Sequence, residues 1–302
     1  MAFLVVLIAI ASTFRASAQK DPFTQSNPDW VDPFPAFRIA GNLYYVGSQD
    51  LAAYLIVTPK GNILINSNLQ TSPPQIKKAI ESLGFKYSDT KILLISHGHF
   101  DHCAGSAQIK RETGAKYEVM AQDVSVVESG GHTDFYYGSR ESFWFPRAKV
   151  DHILHDGDAV SLGGVTLTAH LTAGHTRGTT TWTLDEKEFG ASGIEGAEGT
   201  RTLHVVIVGS PNVNPGYKLV NNKTYPQIAS DYRHQFEVLK KLLCDIFLGA
   251  HGGYFDLQEK YQRFKAADKN AFIDPAGYKS YVADREQAFE AELKKQAAAT
   301  HR

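Results

Sequence analysis

The chain has 302 residues, of which 43% are hydrophobic and 21% are charged. These proportions exclude a disordered chain, and the length allows a substantial core in one or two domains. The formal net charge is −1 and no block of lysine or arginine residues occurs, which excludes nucleic acid as an expected partner.

The N-terminus predicts export. Residues Phe3 to Ala11 form an apolar run, and the Ala-Ser-Ala pattern at residues 16–18 is typical of signal-peptidase cleavage. The run is shorter than the about 20 apolar residues that span a bilayer, which makes a retained membrane anchor the weaker interpretation. We therefore expect a signal peptide over residues 1–18, a mature chain that begins at Gln19, a periplasmic location and no membrane association after cleavage.

Strand and helix patterns alternate up to residue 129, as expected for an α/β sheet with helical crossovers. Strands are predicted at Asn42–Val46, Ala52–Thr58, Asn62–Asn66, Lys91–Ser96 and Tyr117–Met120, and helices at Ser72–Leu83, Ala104–Thr113 and Gln122–Ser129. The segment Pro59–Asn62 predicts a hairpin turn between the second and third strands.

The segment Gly130–Val150 has no clear period and many aromatic residues, which predicts a long loop. Such a loop either covers a functional site or packs against the core, and the sequence favours neither. His132 and Asp134 lie in this loop. We leave His132 out of the predicted metal ligands, because a single histidine in a loop is more often exposed or hydrogen-bonded.

The second half of the chain is again rich in strand patterns. Strands are predicted at Ala159–Leu162, Val165–Leu171, Thr179–Leu184, Leu203–Val208 and Ile246–Gly249, and helices at Ala229–Leu243, Leu257–Ala266 and Tyr278–Ala299. Residues 186–200 are rich in Gly and Glu and predict an exposed hairpin tip. Alternating Lys and Glu in the last helices predict a solvated outer face without chemistry.

One stretch, His97-Gly-His-Phe-Asp-His102, places three imidazoles and one carboxylate directly after a strongly apolar run. Because residues two apart in an extended backbone point the same way, His97 and His99 are predicted to hold one ion, while Asp101 and His102 reach a second. Ligands of this kind without a thiolate favour zinc, with iron or manganese as alternatives. A solvated loop without metal is disfavoured, because it would crowd charge beside a core strand.

Two further histidines follow predicted strand ends, His175 in a Gly-His-Thr turn and His251 after the last strand. The predicted ligand sets are His97, His99 and His175 for one ion and Asp101, His102 and His251 for the other. Three protein ligands with an open position are typical of catalytic zinc, and two ions about 4 Å apart can hold a hydroxide near neutral pH. Nucleophile-elbow, P-loop and dinucleotide motifs are absent from the sequence, so hydrolysis with two Zn²⁺ per chain is predicted.

These motifs resemble those of the metallo-β-lactamase superfamily, from about residue 30 to the C-terminus. The resemblance implies an α/β (α+β) fold, an αββα sandwich of two mixed β-sheets with helices on the outer faces, in a single catalytic domain over residues 19–302. Glyoxalase II-like and lactonase-like members carry a bridging aspartate in a Gly-Asp pair, where this chain has Gly209-Ser210. Ser210 and the ligand His102 both resemble subclass B3 of the class B β-lactamases.

The loop from Ser210 to Tyr217 is similar to the subclass B3 loop that faces the substrate carboxylate and the lactam carbonyl. The substrate contacts that this implies are Ser210, Asn212, Asn214 and Tyr217. In the implied mechanism, a zinc-bridging hydroxide oriented by Asp101 attacks the lactam carbonyl, and Tyr217 donates a hydrogen bond to the developing oxyanion. The implied protein is a periplasmic, monomeric β-lactamase that confers resistance to penicillins, cephalosporins and carbapenems.

Two alternatives stay open at this point. One is another hydrolase of the superfamily, such as a lactonase or a glyoxalase II-like thioesterase. The other is a periplasmic zinc-binding protein without activity. It would need both ions closed by protein ligands, which six ligands for two ions do not provide.

The two cysteines, Cys103 and Cys244, lie in segments that are predicted to form different elements. We therefore predict two free, buried thiols, although an oxidising compartment would allow pairing. Many subclass B3 members pair the cysteine at position 244 with one near the C-terminal helix, where this chain has Tyr278. The resemblance thus implies that the family disulfide cannot form here.

Overall fold

The computed structural model describes residues 26–188 and 201–300, which form two β-sheets and the helices that cover them. The predicted signal peptide and most of the predicted hairpin tip lie outside the described residues. Within residues 26–188 and 201–300, no helix combines the length and the apolar character that a membrane span requires.

The first sheet has seven strands that lie side by side in chain order. They are β1 (Phe37–Ala40), β2 (Leu43–Tyr45), β3 (Tyr54–Thr58), β4 (Gly61–Ile65), β5 (Thr90–Leu94), β6 (Lys116–Met120) and β7 (His152–Leu154). Strands β1 to β4 pair antiparallel and β4 to β7 pair parallel, so the sheet is mixed, as expected. The predicted hairpin turn between β3 and β4 is confirmed.

The second sheet has five strands in the order β12-β11-β10-β9-β8. They are β8 (Ala159–Leu162), β9 (Val165–Leu171), β10 (Thr180–Glu188), β11 (Arg201–Val208) and β12 (Ile246–Gly249). Only β11 and β12 pair parallel, so this sheet is mixed as well. Strand β10 extends four residues beyond the predicted Leu184, because its end pairs with the start of β11, from Asp185 opposite His204 to Glu188 opposite Arg201.

Seven α-helices complete the described part of the chain. They are α1 (Pro73–Ser82), α2 (Phe100–Cys103), α3 (Ser106–Thr113), α4 (Val124–Ser129), α5 (Ile228–Lys241), α6 (Leu257–Lys265) and α7 (Pro275–Thr300). Helix α2 corrects the sequence prediction, which placed the whole histidine motif on extended or turning backbone. The backbone is extended at His99 and then turns helical, so Asp101 and His102 lie on a helix.

The alternation of side chains along the strands divides the interior into two cores. Ile63 and Ile65 belong to one cluster with Trp182 of the second sheet, so this core fills the space between the sheets and continues under α5 and α7. Leu64 belongs to the other cluster, with Ile76 of α1, on the outer face of the first sheet. The architecture is the expected αββα sandwich. Helix α7 was predicted as a solvated outer helix, but it also buries one face in the first core, including Tyr278, Val282 and Phe289.

Candidate metal centre

The predicted ligands lie at one edge of the sandwich, where strands of both sheets end. They are His97 and His99 after β5, Asp101 and His102 on α2, His175 between β9 and β10, and His251 after β12. Next to His251, a 3.0 Å backbone hydrogen bond from Ala52 to Ala250 joins the two sheets. Segments that are far apart in the sequence are thereby fixed against one another at the site.

The first predicted ligand set converges on one point. The ligand nitrogens of His97, His99 and His175 lie within 4.8 Å of one another, and His99 Nδ1 is 3.1 Å from His175 Nε2. All three side chains are buried. Neither ring nitrogen of His97 has a hydrogen-bond partner among residues 26–188 and 201–300. Buried polar atoms are rarely left without a partner. A metal ion bound to the His97 nitrogen that carries the free lone pair would supply a partner for that nitrogen.

The second predicted ligand set is equally compact. Asp101 Oδ2 lies 3.3 Å from His102 Nε2 and 3.6 Å from His251 Nε2, and the two nitrogens are 3.2 Å apart. A triangle of this size fits one ion that bonds each atom at about 2.0 Å. The ligand atoms of His97, Asp101 and His102 also lie within 4.8 Å of one another, so His97 stands between the two sets.

Polar partners on the outer side of three ligand rings determine which nitrogen of each is free. His175 Nδ1–H donates to the Asn212 carbonyl at 2.8 Å, and His251 Nδ1–H donates to Asp50 Oδ2 at 2.8 Å. His99 Nε2 faces Asp134 Oδ2 at 3.6 Å. Partners of this kind hold the rings in one tautomer and direct the other nitrogen toward a metal. The sequence prediction missed Asp50 and gave Asp134 no role, because neither carboxylate lies at a sequence distance from a histidine that is typical of metal ligands.

Burial and charge set the protonation states. Burial and the neighbouring imidazoles lower the pKa of His97 well below its ordinary value and lower that of His175 to about 3. Burial alone would raise the pKa of Asp101, but His102 and His251 hold it below its usual range. At neutral pH, His97 and His175 are therefore neutral and Asp101 is ionised, as metal coordination requires. These residues fit a divalent metal ion such as zinc.

A buried carboxylate, Asp123, links two of the ligand-bearing loops. Its Oδ2 accepts hydrogen bonds from Gly98 N–H and from the Thr176 hydroxyl, both 2.7 Å long, and its Oδ1 accepts one from Gly178 N–H at 2.8 Å. A Cβ at Gly178 would collide with this carboxylate at 2.6 Å from Cγ, and a Cβ at Gly98 would make a tight contact at 3.2 Å from Oδ2. The glycine inside the histidine motif thus allows the motif to pack against Asp123. Sequence reasoning missed this residue.

A cavity of about 470 Å³ opens above the ligands. Its lining is Trp30, Asp50, His99, Phe100, Asp101, Tyr137, Phe143, His175, Asn212, Asn214, His251, Gly253 and Tyr254. Tyr137 and Phe143 stack with ring centroids 4.2 Å apart, and Phe143 meets Phe100 edge-on at 5.4 Å. Both Tyr137 and Phe143 come from the long aromatic loop. Its first part therefore lines the cavity, while Phe145 and Val150 are buried in the core, so both interpretations of the loop hold.

Comparison with known proteins identifies the family. The sequence profile of the metallo-β-lactamase superfamily matches residues 51–193. The native FEZ-1 metallo-β-lactamase from Legionella gormanii is 57% identical in sequence, with 88% of this chain and 98% of that chain covered and a TM-score of 0.84. BJP-1, a subclass B3 metallo-β-lactamase of Bradyrhizobium japonicum, is 35% identical, with 90% of this chain and 98% of that chain covered and a TM-score of 0.80. The chain belongs to subclass B3 of the metallo-β-lactamases.

Curated sequence relatives match over shorter segments. A probable hydroxyacylglutathione hydrolase of Schizosaccharomyces pombe is 27% identical over 145 residues, which are 47% of this chain and 46% of the relative. A UPF0173 metal-dependent hydrolase of Rubrobacter xylanophilus is 36% identical over 81 residues, which are 26% of this chain and 31% of the relative. The match with this chain thus spans less than half the length of these curated relatives.

The subclass B3 loop does not present all of its expected substrate contacts to the cavity. Asn212 and Asn214 line the cavity, whereas Ser210 and Tyr217 do not. Ser210 has no exposed surface, and its hydroxyl lies 3.1 Å from the hydroxyl of Tyr254. Tyr217 is 2% exposed, and its hydroxyl donates to the His175 carbonyl at 3.0 Å. Ser210 therefore lies behind Tyr254 and Tyr217 lies behind the histidines, and direct contact of these two residues with a substrate stays a prediction.

Both predicted thiols, Cys103 and Cys244, are free. Cys103 is buried as predicted, whereas Cys244 is only partly buried. At the position that carries the second cysteine in many subclass B3 enzymes, the hydroxyl of Tyr278 donates to the Leu239 carbonyl at 2.7 Å. The tyrosine fills this site with an aromatic ring and a hydrogen bond.

Proposed function

We propose that this chain is a β-lactamase that hydrolyses the lactam amide of penicillins, cephalosporins and carbapenems with two zinc ions. The observation that carries the proposal is the pair of three-ligand sets beneath the open cavity, with free ligand atoms that face one another. The identity to subclass B3 structures supports the substrate class. The N-terminal signal pattern supports a periplasmic location, and we propose that the mature chain acts there as a monomer and confers antibiotic resistance.

When bound, zinc ions supply Lewis-acid polarisation of the lactam carbonyl and an activated water near neutral pH. His97, His99 and His175 would hold one ion, and Asp101, His102 and His251 the other. Asp101 also lines the cavity. His102 and His251 hold the pKa of Asp101 below its usual range, so the carboxylate is ionised. It can therefore accept a hydrogen bond from the attacking water and orient it.

The lining of the cavity above the ligands combines two kinds of side chain. Trp30 and Phe100, with ring centroids 6.1 Å apart, supply apolar rings. Asn212, Asn214 and Tyr254 supply amide and hydroxyl groups. A bicyclic lactam with an apolar ring face and polar carboxylate and carbonyl groups matches this combination.

The first test is turnover of nitrocefin, a penicillin and a carbapenem by the purified mature chain, with and without a chelator. We expect turnover that the chelator abolishes and added zinc restores. A glutathione thioester is the matched alternative substrate, motivated by the resemblance to the probable hydroxyacylglutathione hydrolase. Turnover of the thioester without turnover of any lactam would overturn the proposal.

The second test is Asp101→Asn, which keeps the size of the side chain and removes its charge. Loss of an oriented nucleophile typically lowers the rate at least about 100-fold. The zinc content of the first ligand set should change less, because that set does not include Asp101. Near-full activity in Asp101→Asn, measured beside zinc stoichiometry, would contradict the mechanism.

A further inference from the structure

The lining of the cavity includes Tyr254, whose hydroxyl is not among the substrate contacts predicted from the sequence. Tyr254 lies three residues after His251, and the centroids of the two rings are 5.0 Å apart. Its side chain lines the cavity, whereas Ser210, the expected carboxylate contact, lies fully buried behind it. A substrate that enters the cavity therefore meets Tyr254 and Asn212 before it could meet Ser210.

The hydrogen bonds around Tyr254 leave its own hydrogen available to a ligand. Asn212 Nδ2 donates to Tyr254 Oη at 2.8 Å, and Arg285 Nη1 lies 3.5 Å from Asn212 Oδ1. A guanidinium group only donates hydrogen bonds, so it requires the amide oxygen on its side and leaves the amide NH₂ to face Tyr254. The Ser210 hydroxyl, 3.1 Å away, can donate to the same Oη. Tyr254 can thus accept two hydrogen bonds and retain its own hydrogen for a ligand.

Two contacts hold the Tyr254 ring in this position. The ring stacks on Tyr281, with centroids 5.2 Å apart and an angle of 29° between the planes. On the strand side, a Cβ at Gly249 would lie only 2.8 Å from Tyr254 Cδ2, so the ring packs directly against glycine backbone. A donor that is already oriented loses little side-chain entropy when a ligand binds.

We propose that the Tyr254 hydroxyl, with Asn212 and Ser210 donating to its oxygen, binds the carboxylate of the substrate. This inference rests on the proposed function and names the group that recognises the anionic part of the lactam. A hydroxyl that accepts two hydrogen bonds is polarised and becomes a better donor. A hydrogen bond to a carboxylate is also stronger than one to a neutral acceptor. Ser210 contributes through Tyr254 and not by contact.

The test compares a penicillin with its methyl ester, which has the same lactam but no anionic carboxylate. In Tyr254→Phe, kcat/KM for the penicillin should fall about 10- to 100-fold, mainly through KM, because one charge-assisted hydrogen bond is lost. For the methyl ester the loss should stay below about 3-fold, since a neutral ester accepts a weaker hydrogen bond. Tyr278→Phe is the matched control, because it removes a buried phenol hydroxyl that does not line the cavity and donates to the Leu239 carbonyl, and it should leave the turnover of both substrates unchanged.

A second variant, Ser210→Ala, tests whether Ser210 acts through its hydrogen bond to Tyr254. It provides a measurement even if Tyr254→Phe does not fold. It should lower kcat/KM for the penicillin by only about 2- to 5-fold, because one of two donors to Tyr254 is lost. In the Tyr254→Phe background it should have no further effect. Zinc content and thermal unfolding are measured for every variant.

The outcomes separate the inference from the proposed function. One outcome is that the wild-type chain turns over the penicillin while Tyr254→Phe lowers kcat/KM by the same factor for the penicillin and for its methyl ester. In that case the inference is wrong and the proposed function stands. The same holds if Ser210→Ala lowers the penicillin rate further in the Tyr254→Phe background, which would indicate direct contact by Ser210. If the wild-type chain turns over neither substrate, the proposed function fails and the inference fails with it.

Discussion

The carboxylate of Asp123 provides the sharpest test of how this fold positions its metal ligands. It accepts three hydrogen bonds from Gly98, Thr176 and Gly178, and it is 1% exposed. Asp123→Asn keeps the shape of the side chain but replaces one acceptor oxygen with an NH₂ group. In either orientation of the amide, at least one buried backbone N–H then faces another donor.

The expected cost follows from this count of partners. A lost hydrogen bond to a charged acceptor costs about 1.5 to 3 kcal/mol, and an unsatisfied buried donor costs a further 1 to 3 kcal/mol, so we expect a loss of about 2.5 to 6 kcal/mol in the free energy of unfolding. Gly98 lies between His97 and His99, and Thr176 directly follows His175. The same change should therefore weaken zinc binding by the first ligand set about 10- to 100-fold.

Urea unfolding measures the stability, and titration of the metal-free chain with zinc against a chromophoric chelator measures the affinity. Asp151→Asn is the matched control, because the Asp151 side chain is 37% exposed and bonds Lys110 and the Tyr117 N–H away from the site. It should cost about 1 to 2 kcal/mol, less than Asp123→Asn, and leave zinc binding unchanged. If Asp123→Asn is destabilised while zinc binds as before, Asp123 only supports the fold and the reasoning about the ligand loops is wrong.

Three further predictions concern other parts of the chain. Burial raises the pKa of Glu186 from its ordinary value of 4.5 to about 7. The folded state therefore favours the protonated acid, and the resulting stability is full below about pH 4.5 and lost as the pH rises through about 7. Glu186→Gln should accordingly raise the free energy of unfolding by about 2 to 3 kcal/mol at pH 8 and change it little at pH 4.5, and equal urea midpoints for the two proteins at pH 8 would refute this. Thiol titration of denatured, unreduced protein should count both Cys103 and Cys244 as free, and a count of zero would contradict the structure. Mass spectrometry of protein from a Gram-negative periplasm should find an N-terminus at or near Gln19, and an intact Met1 on the active form would exclude signal cleavage.

The features that could be predicted are those with a local or periodic signal. The ligand motif occupies six consecutive residues, and the two remaining histidines each follow an apolar strand. The alternation that separates Ile63 and Ile65 from Leu64 is also visible in the sequence. In a sandwich whose strands end at one edge, such positions meet whatever the details of packing.

The partners of the ligands have no such signal. Asp50 and His251 are 201 residues apart in the chain and meet only because the two sheets are joined beside them. Asp123 lies three residues after strand β6, as His97 lies three residues after β5. A single aspartate at the start of a helix is ordinarily a helix cap, so its position alone does not distinguish it from a structural residue.

Ser210 illustrates a limit of a different kind. Its place after strand β11 was predicted and the structure has it there, directly beside the loop that lines the cavity. A position in a loop determines where a backbone lies, but not which side chain stands in front of it. Here the ring of Tyr254 arrives from the end of another strand and covers Ser210, and it fits because Gly249 leaves space for it. Which side chain lines the cavity is therefore decided by a tertiary contact between two strand ends, and the match of Ser210 to its family by sequence does not determine it.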